Sequence, residues 1–367
     1  MKTTRKTKAI RIIAVAGVAA LCVLGFVWFG MPRGGPPGPP QKDMTVDKAT
    51  RNEVIEAAIA NLDKYYVFPE KAEAMEKQLR AKSQHGDFDS VTSAEKLAET
   101  LTDALQNESH DKHLEVRYFE KTVPVLPPGQ DQSEEEKAEE LAHQTRLNFG
   151  VETVGRLPFN IGYIDLHAFG RPQQAAGRIA AAMALLADTK ALIIDLRQCG
   201  GGDPDTVMLL ASYLYDKPTH LNDIYWREEK RTEARWTAGD VPGKKYGEAR
   251  KVYLLTSEDT FSAGEDFAYA LENNGRATLV GETTGGGAHP GNPRRLSAHF
   301  MMFVPNGRSI NPVTHTDWEG VGVVPNVKSS AKNALNVAQV AILEERLAAE
   351  PDPEKKDQLQ RRIGELK

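Results

Sequence analysis

Two different hydrophobic periods divide the chain near residue 160. In residues 44–107, apolar positions recur three and four apart, as Val54, Ile55, Ala58, Ile59 and Leu62 do, which one face of a helix produces. Pro69 can open a second helix carrying Met75 and Leu79. Thr92 with Glu95 reads as a capping box ahead of Leu97, Leu101 and Leu105. The pattern predicts a helical subdomain over residues 44–120.

From Asn160 onward short apolar runs alternate with helical stretches. Ile161–Leu166, Ala191–Leu196, Val252–Thr256 and Ala277–Val280 read as strands. Between them fall an Ala-rich helix over 175–186, a helix capped by Asp203 with Pro204 at its first position, and a helix from about Ala263 to Asn273 stopped by Asn274-Gly275. Repeated strand–helix units demand right-handed crossovers, so residues 160–330 are expected to form an α/β core on a largely parallel sheet. Residues 121–159, with the acidic run at 133–140, read as a connector, and residues 331–367 as a charged C-terminal helix.

The N-terminus has a third pattern. Lys2, Arg5, Lys6, Lys8 and Arg11 precede an uncharged, mostly apolar run from Ile12 to Met31. Twenty helical residues span roughly 30 Å, the thickness of a bilayer core. The expected element is a single transmembrane anchor over residues 1–31, or a long signal peptide, with the basic flank cytoplasmic and the body on the periplasmic or extracellular side. Residues 32–43, rich in Pro and Gly, follow as a semi-stiff linker.

The net charge of −5 offers no basic face for nucleic acid. The two cysteines are Cys22, inside the apolar run, and Cys199, so no disulfide can brace the body. There is no zinc-spaced Cys/His cluster and no phosphate loop, and neither a metal nor a cofactor is expected.

Three segments carry candidate chemistry. Asp195-Leu-Arg-Gln-Cys-Gly-Gly-Gly202 follows the most apolar strand, and its glycines allow close backbone approach to a ligand, as an oxyanion hole requires, or merely a tight turn. Thr260-Phe-Ser-Ala-Gly-Glu-Asp266 places Ser262 at a helix N-terminus, where it is a nucleophile aided by unpaired N–H groups or simply an N-cap. Gly281–Gly291, with His289, resembles a flexible lip over a site. A serine needs a base, and no lysine occurs between Lys251 and Lys328, which leaves histidine. His113 and His289 are the main candidates, with His299 and His315 behind them.

Together these motifs, with Gly275–His289, Trp318-Glu-Gly-Val-Gly-Val, Asp111-Lys-His-Leu and Tyr65-Tyr-Val-Phe-Pro-Glu, resemble the tail-specific protease family, peptidase family S41. Within it the chain is similar to the branch of the interphotoreceptor retinoid-binding protein repeats and their bacterial relatives. The resemblance implies a ClpP/crotonase-like core beside the helical subdomain and a serine-type peptidase acting on peptide or protein substrates. Ser262 takes the nucleophile position, with the N–H groups of Gly200, Gly201 and Ala263 as the oxyanion hole. Where many members carry a lysine, this chain has Gly287. By analogy with tricorn protease, His113 becomes the base and Glu319 the supporting acid, His289 being the alternative base. No PDZ domain is evident. The same branch offers a second reading, a non-catalytic carrier of a hydrophobic ligand such as a lipid.

Overall fold

A computed structural model describes residues 41–125 and 133–367. The apolar run of residues 12–31 and the spacer up to residue 40 lie outside the described residues; within them, no helix is long and apolar enough to cross a membrane.

The N-terminal helices form where the apolar spacing places them: α1 (Lys48–Tyr65), α2 (Pro69–His85) and α3 (Ala94–Ser109). Asp47 caps α1 by accepting the Thr50 N–H at 2.8 Å, and Pro69 opens α2. The cap of α3 is Ser93, not Thr92: its hydroxyl accepts the Lys96 N–H at 3.0 Å, while the Glu95 N–H is taken by Asp43 at 3.0 Å. Residues 44–120 are not helical throughout. Strand β1 (Glu115–Tyr118) pairs antiparallel with β10 (Phe300–Pro305), itself paired with β9 (Gly291–Arg295). Leu101, Val116, Phe300 and Met302 share one core, so the helical unit is bonded into the body by apolar packing rather than tethered beside it.

The expected connector contributes two elements. Helix α4 spans Glu134–Arg146, and strand β2 (Val151–Leu157) joins the main sheet. Its exposed Glu152, Thr153 and Arg156 hide it from a hydrophobic reading, because an edge strand buries little.

The main sheet has the order β12-β8-β7-β4-β3-β2, with β3 (Ile161–Leu166), β4 (Ala191–Asp195), β7 (Lys251–Thr256), β8 (Thr278–Gly281) and β12 (Val327–Lys328) mutually parallel and β2 antiparallel at the edge. Alternation assigns its two faces. Leu192, Ile194, Val252 and Leu254 meet α5 (Pro172–Leu186), α6 (Pro204–Ser212) and α7 (Ala263–Asn273), while Ala191, Ile193, Tyr253 and Leu255 meet the C-terminal helices. Burial on both faces explains why these strands read as unbroken apolar runs. The C-terminal stretch is two helices, α8 (Ala331–Ala349) and α9 (Pro353–Leu366), because Pro351 and Pro353 cannot continue α8. A small antiparallel sheet, β11-β5-β6, is built from β5 (Asp223–Trp226), β6 (Arg231–Glu233) and β11 (Gly307–Ile310).

Candidate active site

The parallel strands β4 and β7 deliver two turns to the same place. The β4 turn is braced by Asp195 and Arg197. Arg197 Nε donates to Asp195 at 2.9 Å, Arg197 Nη1 to Ala331 O at 2.6 Å, and the Tyr163 hydroxyl to Asp195 at 2.8 Å. These two charged residues of the motif therefore hold the turn in place. The β7 turn is stitched to it: the Thr260 hydroxyl donates to Leu196 O at 2.8 Å and the Phe261 N–H to Cys199 O at 2.9 Å.

Ser262 follows with φ 52° and ψ −116°, a conformation disfavoured for any residue bearing a Cβ. Such strain costs on the order of 1–3 kcal/mol and persists where surrounding bonds enforce it. Here the enforcing group is Glu265, fully buried, whose Oε2 accepts the Ser262 N–H at 2.9 Å. Ordinary capping by Ser262 would not require this geometry; a sharp turn that lifts a hydroxyl above a helix N-terminus does.

Gly201 lies directly against the serine. With φ +117°, a Cβ there would sit 2.8 Å from Ser262 Cβ. Ala263, the first residue of α7, has an N–H that no carbonyl of the helix can accept. The three expected oxyanion donors are not equivalent. The Gly200 N–H is directed to His167 O at 3.2 Å, whereas the Gly201 N–H meets only the Cys199 sulfur, a weak acceptor, which leaves Gly201 and Ala263 as the donors. Burial pushes the Cys199 thiol up to about 12, so it is no nucleophile at neutral pH.

The glycine-rich segment expected to form a flexible lip is instead pinned on both sides. Glu265 accepts N–H bonds from Gly286 at 2.7 Å and Gly287 at 2.8 Å, and a hydroxyl bond from Thr284. Trp318 Nε1 donates to Gly287 O at 2.7 Å, the Ala288 N–H to Glu319 Oε2 at 2.6 Å, and Lys112 Nζ to Gly285 O at 2.6 Å. At Gly287, the position of the family lysine, a Cβ would lie 2.2 Å from Phe261 Cζ and 2.6 Å from His113 Cε1. The space a lysine would need is filled by an aromatic ring and an imidazole.

Both candidate bases are buried, in different settings. His113 packs against Phe261, the residue before the serine, with ring centroids 4.6 Å apart, and its Nδ1 lies 3.8 Å from Asp111 Oδ1. His289 is gripped by carboxylates: its Nδ1 is 2.8 Å from Asp111 Oδ2 and 3.4 Å from Glu319 Oε2. Asp111 also accepts the His113 N–H at 3.0 Å and the Tyr66 hydroxyl at 3.1 Å. Tyr66 and Phe68, which meets the His289 ring at 5.2 Å, come from the loop between α1 and α2, so the helical unit completes this cluster. His299 bonds Phe119 O at 3.0 Å, and His315 occupies a turn with φ 58°; neither belongs to the cluster.

Burial is the largest influence on Asp111, His289, Glu265 and Glu319, and partners outweigh it only at the first two. Burial opposes charge on both His289 and Asp111, yet their bond wins, raising the imidazole and lowering the carboxyl. Glu319 is pushed up to about 8 by burial and by the Asp111 charge, and Glu265 to about 7 by burial. A carboxyl raised in the folded state stabilises below its unfolded value and loses that contribution as pH rises through the folded one. Stability is therefore expected to decline between about pH 4.5 and 8. Glu319→Gln keeps an acceptor for Ala288 and should flatten that decline in thermal melts, raising Tm at pH 8 by a few degrees, at ~2–4 °C per kcal/mol. A profile identical to the parent would refute this.

Asp111, His289 and Glu319 also present one ligand atom each within 4.8 Å of one another, a grouping able to hold a divalent cation that no sequence spacing announced. Ser262, Ala263, Gly287, Ala288 and Trp318 border an open groove of about 530 Å³.

Sequence reading missed Asp111 and Glu265 as site residues. Glu265 carried a signal, since Ser-x-x-Glu at a helix start is a capping-box pattern in which the glutamate returns to the serine N–H. Nothing local pairs Asp111 with His289, 178 residues away.

Residues 160–329 match the model of peptidase family S41, and residues 44–147 that of the N-terminal domain of peptidase S41 in eukaryotic IRBP. Two Arabidopsis thaliana proteins are similar in sequence. Carboxyl-terminal-processing peptidase 2, chloroplastic, is 29% identical over 175 residues, covering 45% of this chain and 31% of that protein. Carboxyl-terminal-processing peptidase 1, chloroplastic, is 28% identical over 188 residues, covering 51% and 37%. The chain thus spans about a third of the length of these curated relatives. A lipoprotein structure from Streptococcus agalactiae shares the fold at 12% identity and TM-score 0.54, covering 83% of this chain and 96% of that one.

Proposed function

The chain belongs to peptidase family S41, and from that premise we propose that it is a serine peptidase whose nucleophile is Ser262 and whose base is His113. The observation that carries the reading is the strained Ser262 elbow, with Gly201 against it and the unpaired Ala263 N–H beneath. Ser262 Oγ attacks the scissile carbonyl while His113 accepts its proton. Negative charge develops beside the N–H groups of Gly201 and Ala263. His113 protonates the leaving amine, and water repeats the cycle on the acyl-enzyme.

The contact of His113 with Phe261 favours it as base. His289 has its Nδ1 committed to Asp111, and in this reading it fixes the carboxylate that faces His113, while Glu319 approaches the same Nδ1 at 3.4 Å. His113→Ala is expected to slow acylation about 10³-fold. His289→Ala is expected to act mainly on stability, costing about 3–5 kcal/mol because the buried Asp111 carboxylate loses its partner. The reverse pattern, in labelling rates and melts, would make His289 the base.

A fluorophosphonate probe tests the reading as a whole. Mass analysis should find one adduct, on the peptide containing Ser262; an unlabelled folded protein would sink it. The carrier reading fits less well, since charged side chains line much of the groove. The basic flank and apolar run of residues 1–31 support a catalytic unit held outside a cell membrane by its N-terminus.

A further inference from the structure

We propose that the groove beside Ser262 selects peptides that place a lysine or arginine side chain next to the scissile bond, with Asp203 and Asp205 as the recognising groups. This inference rests on the peptidase reading and concerns the charge of its substrate.

The groove borders carry six carboxylates against three guanidiniums. All three guanidiniums are already held. Arg235 donates to Asp266 at 3.2 Å and to Pro204 O. Arg294 donates to Glu228 at 2.9 Å and stacks on Tyr65 at 3.7 Å. Arg231 donates to Glu229 at 2.9 Å and lies 3.7 Å from Glu233. These bonds draw Asp266, Glu228, Glu229 and Glu233 into ion pairs within the walls. Asp203 and Asp205 remain.

They stand at the start of α6, on the turn that continues from Gly201, and line the same groove as Ser262. Asp203 uses Oδ1 to accept the Asp205 N–H at 2.9 Å, and no described hydrogen bond uses its Oδ2. Asp205 is exposed. The N-terminus of α6 contributes only about half a positive charge, which two carboxylates exceed. A cationic side chain in the groove would gain charge-assisted bonds, in competition with the Arg171 and Arg235 charges that already act on Asp203. An acidic side chain there would face like charge, and both effects feed discrimination in kcat/KM.

The test uses the full chain and peptides of one sequence that differ at a single position beside the scissile bond: lysine, norleucine or glutamate. Lysine is expected to exceed norleucine by about 10-fold in kcat/KM and glutamate by about 100-fold. Asp203→Asn with Asp205→Asn keeps the cap and should reduce the lysine-to-norleucine ratio to below about 3-fold. Equal rates for lysine and norleucine, or a ratio that survives the double substitution, would overturn the proposal. Fluorescence anisotropy of the same peptides on Ser262→Ala protein gives the ranking without turnover. Lysine preference there, with no hydrolysis or probe labelling by the parent protein, would leave the groove assignment standing while the peptidase reading fell.

Discussion

Ser262→Ala protein should hydrolyse peptides at a rate on the order of 10⁶-fold below the parent, with the fold and peptide binding retained. The expectation follows from the geometry around one oxygen. Removing Oγ deletes the nucleophile, and what survives is the oxyanion pocket and binding, which alone support only a small residual rate. The substitution should not unfold the protein. The bonds that hold the elbow run through backbone and neighbours: Ser262 N–H to Glu265, Phe261 N–H to Cys199 O, and Asp266 N–H to Ser262 O at 2.9 Å. Alanine keeps all of them. Progress curves under substrate excess, with circular dichroism and anisotropy controls, measure this directly. A folded Ser262→Ala protein that retains more than about a hundredth of the activity would place the nucleophile elsewhere.

The second large effect belongs to a residue with no side chain. Gly201→Ala is expected to lower kcat by about 10²–10³-fold, the usual consequence of losing one oxyanion donor. Two costs combine at this position. A φ of +117° is strained for alanine, and its Cβ would press on Ser262 Cβ at 2.8 Å and on the Ala263 N at 3.3 Å. Relief requires the turn to move away from the serine, which displaces the Gly201 N–H from the developing oxyanion. Because the loss is confined to the transition state, KM should change little while kcat falls. Gly243→Ala, also at positive φ (+86°) but in open space, is the control for backbone strain alone. An equal effect on turnover at both positions would refute the assignment of Gly201 to the oxyanion pocket.

Much of the parallel core was readable because its strands are buried on both faces. Ile161–Leu166 and Ala191–Asp195 appear as apolar runs followed by turn residues, and the structure places strands there. Helix α6 was readable from a single dipeptide, Asp203-Pro204, since a cap and a proline at the first position have local causes. β2 was not readable: half-exposed at the sheet edge, it holds its place through pairing with β3 rather than through its own hydrophobicity. The break between α8 and α9 is local in origin, because Pro351 and Pro353 cannot continue a helix.

The site divides in the same way, and along it runs the boundary between sequence and tertiary structure. By itself the sequence determined that Ser262 begins a helix after a strand, that glycines follow β4, and that no lysine is at hand, because each is a property of a few adjacent residues. Only the tertiary structure decided the rest. It bent Ser262 into a strained elbow under the hold of Glu265. It turned the Gly200 N–H away toward His167, and tied down the 284–288 segment that composition alone presents as loose. It separated the two histidines, placing His113 against Phe261 and giving His289 to Asp111 and Glu319. The physical reason is range. Turn and cap preferences act within a few residues, whereas burial and ion pairing depend on which distant segments the fold brings together.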